Sequence, residues 1–257
     1  MPDLKGRGVL VTRPKEQSAE LIEAITAAGG RPFLYSALDV LGRDAADVDA
    51  SLEDMQSPDI ALFVSPNAVR FGVDYAGDAM IGAIGPATAA ALERAGRTVD
   101  IRPDGGYDSE HLLMSDALSA IDGKNVRIIR GQSGRELLGT TLAHRGANVE
   151  YLSVYARQCP SPEPAETENL LAAWSNDEIH AWIIMSVETL DNFLSLVGDA
   201  GAELARRTPL VSPAARVINV ASERLPGIFA TVADGTSPDA LLETIDSVMI
   251  YDDEQGL

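Results

Sequence analysis

The sequence predicts an α/β protein of two similar lobes, each a doubly wound parallel sheet, joined by two extended linkers. One lobe is discontinuous because the other is inserted into it. Three observations carry this expectation. Apolar strand-length runs alternate with helical-period stretches along almost the whole chain, the pattern of a parallel sheet wrapped by helices. Val9-Leu10-Val11-Thr12-Arg13, a helical run, Gly29-Gly30 and then Pro32 to Tyr35 are repeated by Val126-Arg127-Ile128-Ile129-Arg130, a helical run, Gly146-Ala147 and then Val149 to Tyr151. Ala61-Leu62-Phe63-Val64-Ser65-Pro66-Asn67-Ala68-Val69 is echoed by Trp182-Ile183-Ile184-Met185-Ser186-Val187-Glu188-Thr189-Leu190. The N-terminal copy of the first unit finds its partner at the far end of the chain, whereas the second copy closes the middle block. The repeat is therefore permuted, the chain crosses twice between lobes, and a hinged cleft between them is the expected place for a ligand.

In chain order, strands are predicted over 8–12, 60–65, 81–84, 98–101, 126–130, 181–186, 209–211, 217–220 and 229–232, each a short apolar run bounded by turn residues. Helices are predicted over 16–28, 68–75, 87–95, 109–120, 134–145, 164–175, 187–197, 200–206 and 238–248. Most have small polar residues at their starts and glycine after their ends, as capping requires. Within each lobe the expected arrangement is flavodoxin-like. Two stretches, 31–42 and 149–158, break the alternation: both are extended and apolar and follow the repeated strand-helix-glycine unit. They are read as paired interlobe linkers, the second finished by Pro160 to Pro164, and paired linkers restrict motion to a hinge. The expected division is 1–35 plus 160–257 for the discontinuous lobe, 50–150 for the inserted lobe, and 36–49 and 151–159 for the linkers. The final 252–257 read as a polar tail.

At 257 residues and 46% hydrophobic content, the chain supports two lobes of ordinary size, each with its own core. No run approaches the ~20 apolar residues needed to span a bilayer, and Met1-Pro2-Asp3-Leu4-Lys5 leads into a strand rather than a signal peptide. A soluble cytoplasmic protein is expected. A single cysteine, Cys159, excludes an intramolecular disulfide and a cysteine-based metal cage. The net charge of -19 argues against a nucleic-acid partner, which relies on clustered Lys and Arg. It also repels an acidic small molecule at long range, but salt screens that repulsion beyond about 8 to 10 Å, so local arginines and backbone amides can still form an anion site. The plainer reading of the acidity is a solubility feature or a saline habitat. Lysine is confined to Lys5, Lys15 and Lys124, so arginine carries most of the positive charge.

With the permuted repeat and polar strand ends in place, the chain resembles the uroporphyrinogen-III synthase family. The residues that carry the likeness are Leu10-Val11-Thr12-Arg13-Pro14, Phe63-Val64-Ser65-Pro66-Asn67-Ala68-Val69, Ala83-Ile84-Gly85-Pro86-Ala87-Thr88-Ala89, Val154-Tyr155 and Gly235-Thr236-Ser237-Pro238-Asp239-Ala240-Leu241. Each motif alone is common in α/β proteins; their order and joint presence are specific. The resemblance implies a lyase without a cofactor or metal that takes hydroxymethylbilane, a linear tetrapyrrole, and closes it to the macrocycle with its last ring inverted. It also implies a monomer; transient contact with hydroxymethylbilane synthase is a further expectation, while charge and hydropathy argue against a nucleic-acid or membrane partner. Unassisted closure gives the uninverted isomer. Catalysis must therefore come mainly from holding the chain in the folded shape that leads through a spiro intermediate.

The resemblance places Tyr155 as the acid that assists loss of hydroxide; a tyrosine packing one lobe on the other is the plainer reading. Thr88 and Thr236 correspond to family positions lining the cleft, and each could equally cap its helix. Ser65, Asn67, Ala68, Ser186, Val187 and Ser222 are expected at the carboxyl ends of strands, the rim where open α/β sheets bind ligands. Backbone amides at the helix starts that follow would attract the substrate's acetate and propionate groups, with helix capping as the structural alternative. Arg13 and Arg130, equivalent by the repeat, could pair with carboxylates, and Thr12 and Gly131 adjoin them as substrate-contacting residues. Arg102 and Arg135 are weaker candidates. His111, His144 and His180 lack a partner at metal or triad spacing and read as structural. One departure from the family pattern stands out: Ala221-Ser222-Glu223-Arg224-Leu225-Pro226-Gly227 leaves barely two helical turns before the next strand, which weakens Ser222.

Rival classes fare less well. Neither a Walker loop nor a Gly-x-Gly-x-x-Gly turn occurs, and Gly82 to Gly85 and Gly131 to Gly134 have the wrong spacing for phosphate. A phospho-receiver needs an acidic cluster where Arg13 and Arg130 stand. A non-catalytic two-lobed protein that senses a small anion is the alternative that fold alone leaves open.

Overall fold

The structure, a computed structural model, describes residues 2–255, with side-chain burial described through Met249. The chain divides into two compact units, Met1–Asp39 with Gln158–Leu257, and Val40–Arg157.

The first unit begins with β1 (Gly8–Val11), α1 (Ala19–Ala27) and β2 (Arg31–Leu34). The chain then passes through β3 (Asp39–Gly42) into the second unit: α2 (Ala45–Leu52), β4 (Ile60–Phe63), α3 (Pro66–Gly72), β5 (Met80–Ala83), α4 (Pro86–Arg94), α5 (Ser109–Leu112), β6 (Asn125–Gly131), α6 (Leu137–His144) and β7 (Asn148–Gln158). It returns to the first unit as α7 (Pro164–Ser175), β8 (Ala181–Ile183), α8 (Val187–Arg207), β9 (Leu210–Ser212), α9 (Ala215–Arg224), β10 (Ala230–Val232) and α10 (Pro238–Gln255). Residues 256–257 of the stretch read as a polar tail lie outside the described residues, and helix α10 occupies 252–255.

The two sheets run β10-β9-β8-β1-β2 and β3-β7-β6-β4-β5. Every pairing within β10-β9-β8-β1-β2, and those of β7-β6-β4-β5, is parallel. Both faces of each sheet are covered, which is why the central strands are apolar throughout rather than alternating. In the first unit Leu10, Trp182 and Leu210 face one core with Trp174 and Phe193, while Val9, Val11, Ala181, Ile183 and Val211 face the other with Leu21 and Ile245. In the second, Phe63, Ala83, Ile129 and Leu152 share a core with Val69, and Leu62, Val126 and Ile128 share one with Leu138 and Leu142.

The permuted repeat holds at the level of strand register. Val9 stands opposite Pro32 on one side and Ala181 on the other; Val126, its sequence counterpart, stands opposite Val149 and Ile60. Thus β2-β1-β8-β9 corresponds to β7-β6-β4-β5. The fifth position, held by β10 in the first unit, is reduced in the second to a bridge between Gly82 and Ile101. Gly29 and Gly146 both take positive φ, 72° and 88°, turning the chain after the repeated helix.

Several expected elements differ. Residues 217–220 form part of helix α9 rather than a strand: Val217 and Ala221 are buried four residues apart, and that helical period outweighs the β-branched run. Residues 98–101 contribute only the Ile101 bridge. The stretches 31–42 and 149–158 are not free connections, because their backbone groups are hydrogen-bonded in β2, β3 and β7. Residues 45–52, assigned in part to a linker, form α2, capped by the Asp44 carboxylate on the Ala46 N–H at 2.9 Å. Helices 187–197 and 200–206 run on as α8 with non-helical backbone at Gly198.

Candidate functional site

In a sheet of this kind the strand order reverses at one point, and the crevice beyond the carboxyl ends of the strands there is where ligands bind. In the second unit that point lies between β6 and β4. A crevice of about 490 Å³ lies there, lined by Val64 and Ser65 after β4, Arg130 to Gln132 at the end of β6, and Tyr155 in β7.

Tyr155 is 5% exposed, and its hydroxyl lies 3.1 Å from Ser65 Oγ. Its ring packs on Phe71, centroids 6.2 Å apart. Ser65 is the N-cap of α3: its Oγ accepts the Ala68 N–H at 3.0 Å. Gly131 makes room for the phenol, since a Cβ there would stand 2.8 Å from the Tyr155 ring. Arg130 is 7% exposed, with its guanidinium 4.8 Å over the Tyr151 ring and Nη1 donating to Glu136 at 3.1 Å. The Tyr151 hydroxyl and then the Arg130 guanidinium hold the Glu136 carboxyl below its ordinary range, while burial raises Tyr151. Across the crevice, Asp108 caps α5 by accepting the His111 N–H at 2.9 Å and lies 2.6 Å from His111 Nδ1. The His111 backbone N–H and then its ring hold the Asp108 carboxyl low.

The structure brings Ser65, Arg130, Gly131 and Tyr155, each expected as a site residue, around one crevice. Asn67 and Ala68 lie in the first turn of α3, but the Ala68 N–H is occupied by Ser65 and is not an open anion donor. Thr88 is buried in the first turn of α4, where Gly85 is the N-cap; it neither caps that helix nor lines the crevice. Tyr107, Asp108 and Arg157, which also line the crevice, carried no sequence signal beyond their residue types.

The first unit repeats part of this arrangement at its own switch point, between β1 and β8. Ser186 is the N-cap of α8, its Oγ accepting the Thr189 N–H at 3.1 Å and lying 2.8 Å from Thr189 Oγ1, as Ser65 caps α3. Val187 packs against the core. Thr12 is fully buried and donates its hydroxyl to the Ile183 carbonyl at 2.7 Å, a strand-to-strand tie rather than an available donor. Burial pulls the Arg13 guanidinium below its usual value, with Glu20 acting the other way. Ser222 is not at a strand end: it lies within α9 and donates to the Ile218 carbonyl at 3.0 Å. Thr236 is exposed, and Ser237 instead accepts the Ala240 N–H at 3.3 Å at the start of α10.

Among the described residues, no group of three or more His, Cys, Asp or Glu could hold a metal ion. Nor is any helix among them long and apolar enough to cross a membrane.

Two permuted copies of one parallel-sheet unit, with a polar crevice where the strand order reverses, define a ligand-handling α/β protein. Residues 19–242 match the family described as uroporphyrinogen-III synthase HemD. The chain belongs to that family, cyclising lyases of porphyrin biosynthesis. It is 30% identical over 248 residues to the uroporphyrinogen-III synthase of Salmonella typhimurium, across 92% of this chain and 99% of that one. Identity to the Escherichia coli enzyme is 29% over 255 residues, with the same coverage. The fold is similar to that of uroporphyrinogen-III synthetase from Helicobacter pylori 26695, with a TM-score of 0.61 at 14% identity over 94% of this chain and 99% of that one. A mutant uroporphyrinogen III synthase from Thermus thermophilus gives 0.54 at 18% identity, covering 95% and 99%.

Proposed function

We propose that this chain converts hydroxymethylbilane to uroporphyrinogen III, with loss of water and inversion of ring D through a spiro intermediate. The single observation that carries the catalytic assignment is the Tyr155 hydroxyl 3.1 Å from Ser65 Oγ in the switch-point crevice. Ser65 Oγ accepts the Ala68 N–H and keeps its own O–H, so it can donate to Tyr155 Oη and leave the phenol proton for the substrate. As the terminal C–O bond breaks, the pyrrole nitrogen supplies the electron pair, the hydroxyl takes the phenol proton and leaves as water, and an azafulvene-type cation remains. Ser65 stabilises the phenolate. The substituted α-carbon of ring D attacks that cation to form the spiro intermediate. Fragmentation, recombination and loss of a proton complete the inverted macrocycle, with the proton restoring the phenol. The protein contributes orientation and one proton rather than a strong nucleophile.

In the same reading Arg130, Arg13, Asn67, Ser186, Val187 and Thr236 are candidate contacts to the substrate. Each unit is a flavodoxin-like lobe, a reading supported by the 2-1-3-4-5 strand order of the first and its permuted counterpart in the second. The protein acts as a cytoplasmic monomer that meets hydroxymethylbilane synthase transiently. Tyr155→Phe tests the acid: formation of the inverted product slows roughly 10- to 10³-fold, overlapping the contribution of about 10²- to 10⁴-fold for one general acid. Unchanged turnover removes Tyr155 from the mechanism.

A further inference from the structure

The chain as a whole carries 39 acidic residues against 20 lysines and arginines. Around the second unit's crevice that balance is reversed. Arg130, Arg135 and Arg157 line it, and Asp108 is the one carboxylate among its lining residues. Asp108 is already engaged by the backbone N–H and ring of His111. The larger depression in the first unit, about 650 Å³, follows the whole-chain balance instead: Lys15 stands there against Glu16, Asp39 and Glu166. Proximity to a strand end therefore does not account for the arginines.

The three guanidinium groups differ in exposure. Arg130 is fixed at the floor, its plane over Tyr151. Gly134 also approaches it closely: a Cβ there would stand 3.1 to 3.4 Å from Nη2, Cζ and Nε of the guanidinium. Glu136 engages Nη1 only, and a guanidinium has five donors. Arg135 and Arg157 are exposed and line the crevice, one from the loop after β6 and one from the end of β7.

We infer that Arg135 and Arg157 act with Arg130 as a carboxylate receptor that docks the acid side chains of one substrate ring beside Tyr155. This rests on the synthase reading above and names which residues determine what that site accepts. A pyrrole ring of the substrate carries an acetate and a propionate on adjacent carbons, two anions of unequal reach. One buried arginine and two exposed ones suit such a pair, and arginine binds carboxylates bidentately where lysine offers a point charge.

The test uses the full chain, fresh hydroxymethylbilane and, as a non-reacting probe, uroporphyrin III. Removing either exposed arginine as R135Q or R157Q should raise KM about tenfold, as for loss of a charge-assisted hydrogen bond, with kcat changed less than KM and the unfolding temperature unaltered. R157K should recover part of the loss. Uroporphyrin III should bind more weakly to the R135Q/R157Q protein by the same factors, measured by its fluorescence. If the double variant keeps both KM and porphyrin affinity while the unaltered protein makes the inverted isomer, the receptor is wrong and the synthase reading stands. If the unaltered protein makes only the uninverted isomer, the synthase reading fails, and porphyrin affinity alone then decides the receptor.

Discussion

In the proposed mechanism Tyr155 serves as the acid only while its ring stays where Ser65 Oγ, 3.1 Å away, can meet the phenolate. Gly131 is what permits that position, because any side chain there begins 2.8 Å from the ring. Gly131→Ala should therefore cost about 1–3 kcal/mol by overpacking and slow inversion further than that loss of stability explains. Wild-type rates in a folded G131A protein would show that the ring's placement is immaterial. Glu136 offers a test by pH. Its carboxyl is held low in the folded protein by Tyr151 and then Arg130, so the stabilisation is complete above the unfolded value near pH ~4.3 and is lost as pH falls through the lower folded value. The difference in unfolding temperature between wild type and E136Q should shrink on acidification below that point; parallel curves would contradict the pairing. Ser65 and Arg130 were legible in sequence because each ends or follows a strongly apolar strand, whereas Tyr155, within β7, was marked by the family resemblance alone. Tyr107 and Asp108 were not, since they reach the crevice from an irregular segment after Ile101 that has no period to read.

At the scale of elements, the repeat supplies its own control. Ser65 and Ser186 cap α3 and α8 in the same way, each accepting the N–H three residues on. Either changed to alanine should cost about 1 kcal/mol of stability. Only Ser65→Ala also removes the partner of Tyr155, so its rate should fall well below that of Ser186→Ala at matched stability. Equal rates would separate capping from catalysis at both sites. The strands that carry these caps could be read from the sequence because parallel strands covered on both faces are continuous apolar runs, as Ile60–Phe63 and Gly8–Val11 are. Helix α9 was hidden by Val217-Ile218-Asn219-Val220, whose β-branched residues favour a strand locally while Val217 and Ala221 pack as one helical stripe. Helix α2 has a single buried residue, Val48, too little amphipathic signal to separate it from a linker. The pairing of β3 with β7 depends on chain segments far apart in sequence, which local patterns do not encode.

For the whole molecule, the permuted repeat was the most informative feature of the sequence, and the registers Val9 with Ala181 and Val126 with Ile60 express it in three dimensions. A net charge of -19 spread over such a chain opposes its own compaction. Raising ionic strength from about 0.01 M to about 0.1 M shortens the Debye length from about 30 Å to about 10 Å, so the unfolding temperature should rise across that interval; a flat or falling response would show that the charges are already paired off. The same acidity disfavours a polyanionic substrate except where arginines gather, and the crevice beside Tyr155 is such a place. The most direct measurement is a time course of product isomers from fresh hydroxymethylbilane. The account predicts uroporphyrinogen III formed faster than spontaneous ring closure, and a product consisting of the type I isomer at the uncatalysed rate would contradict it.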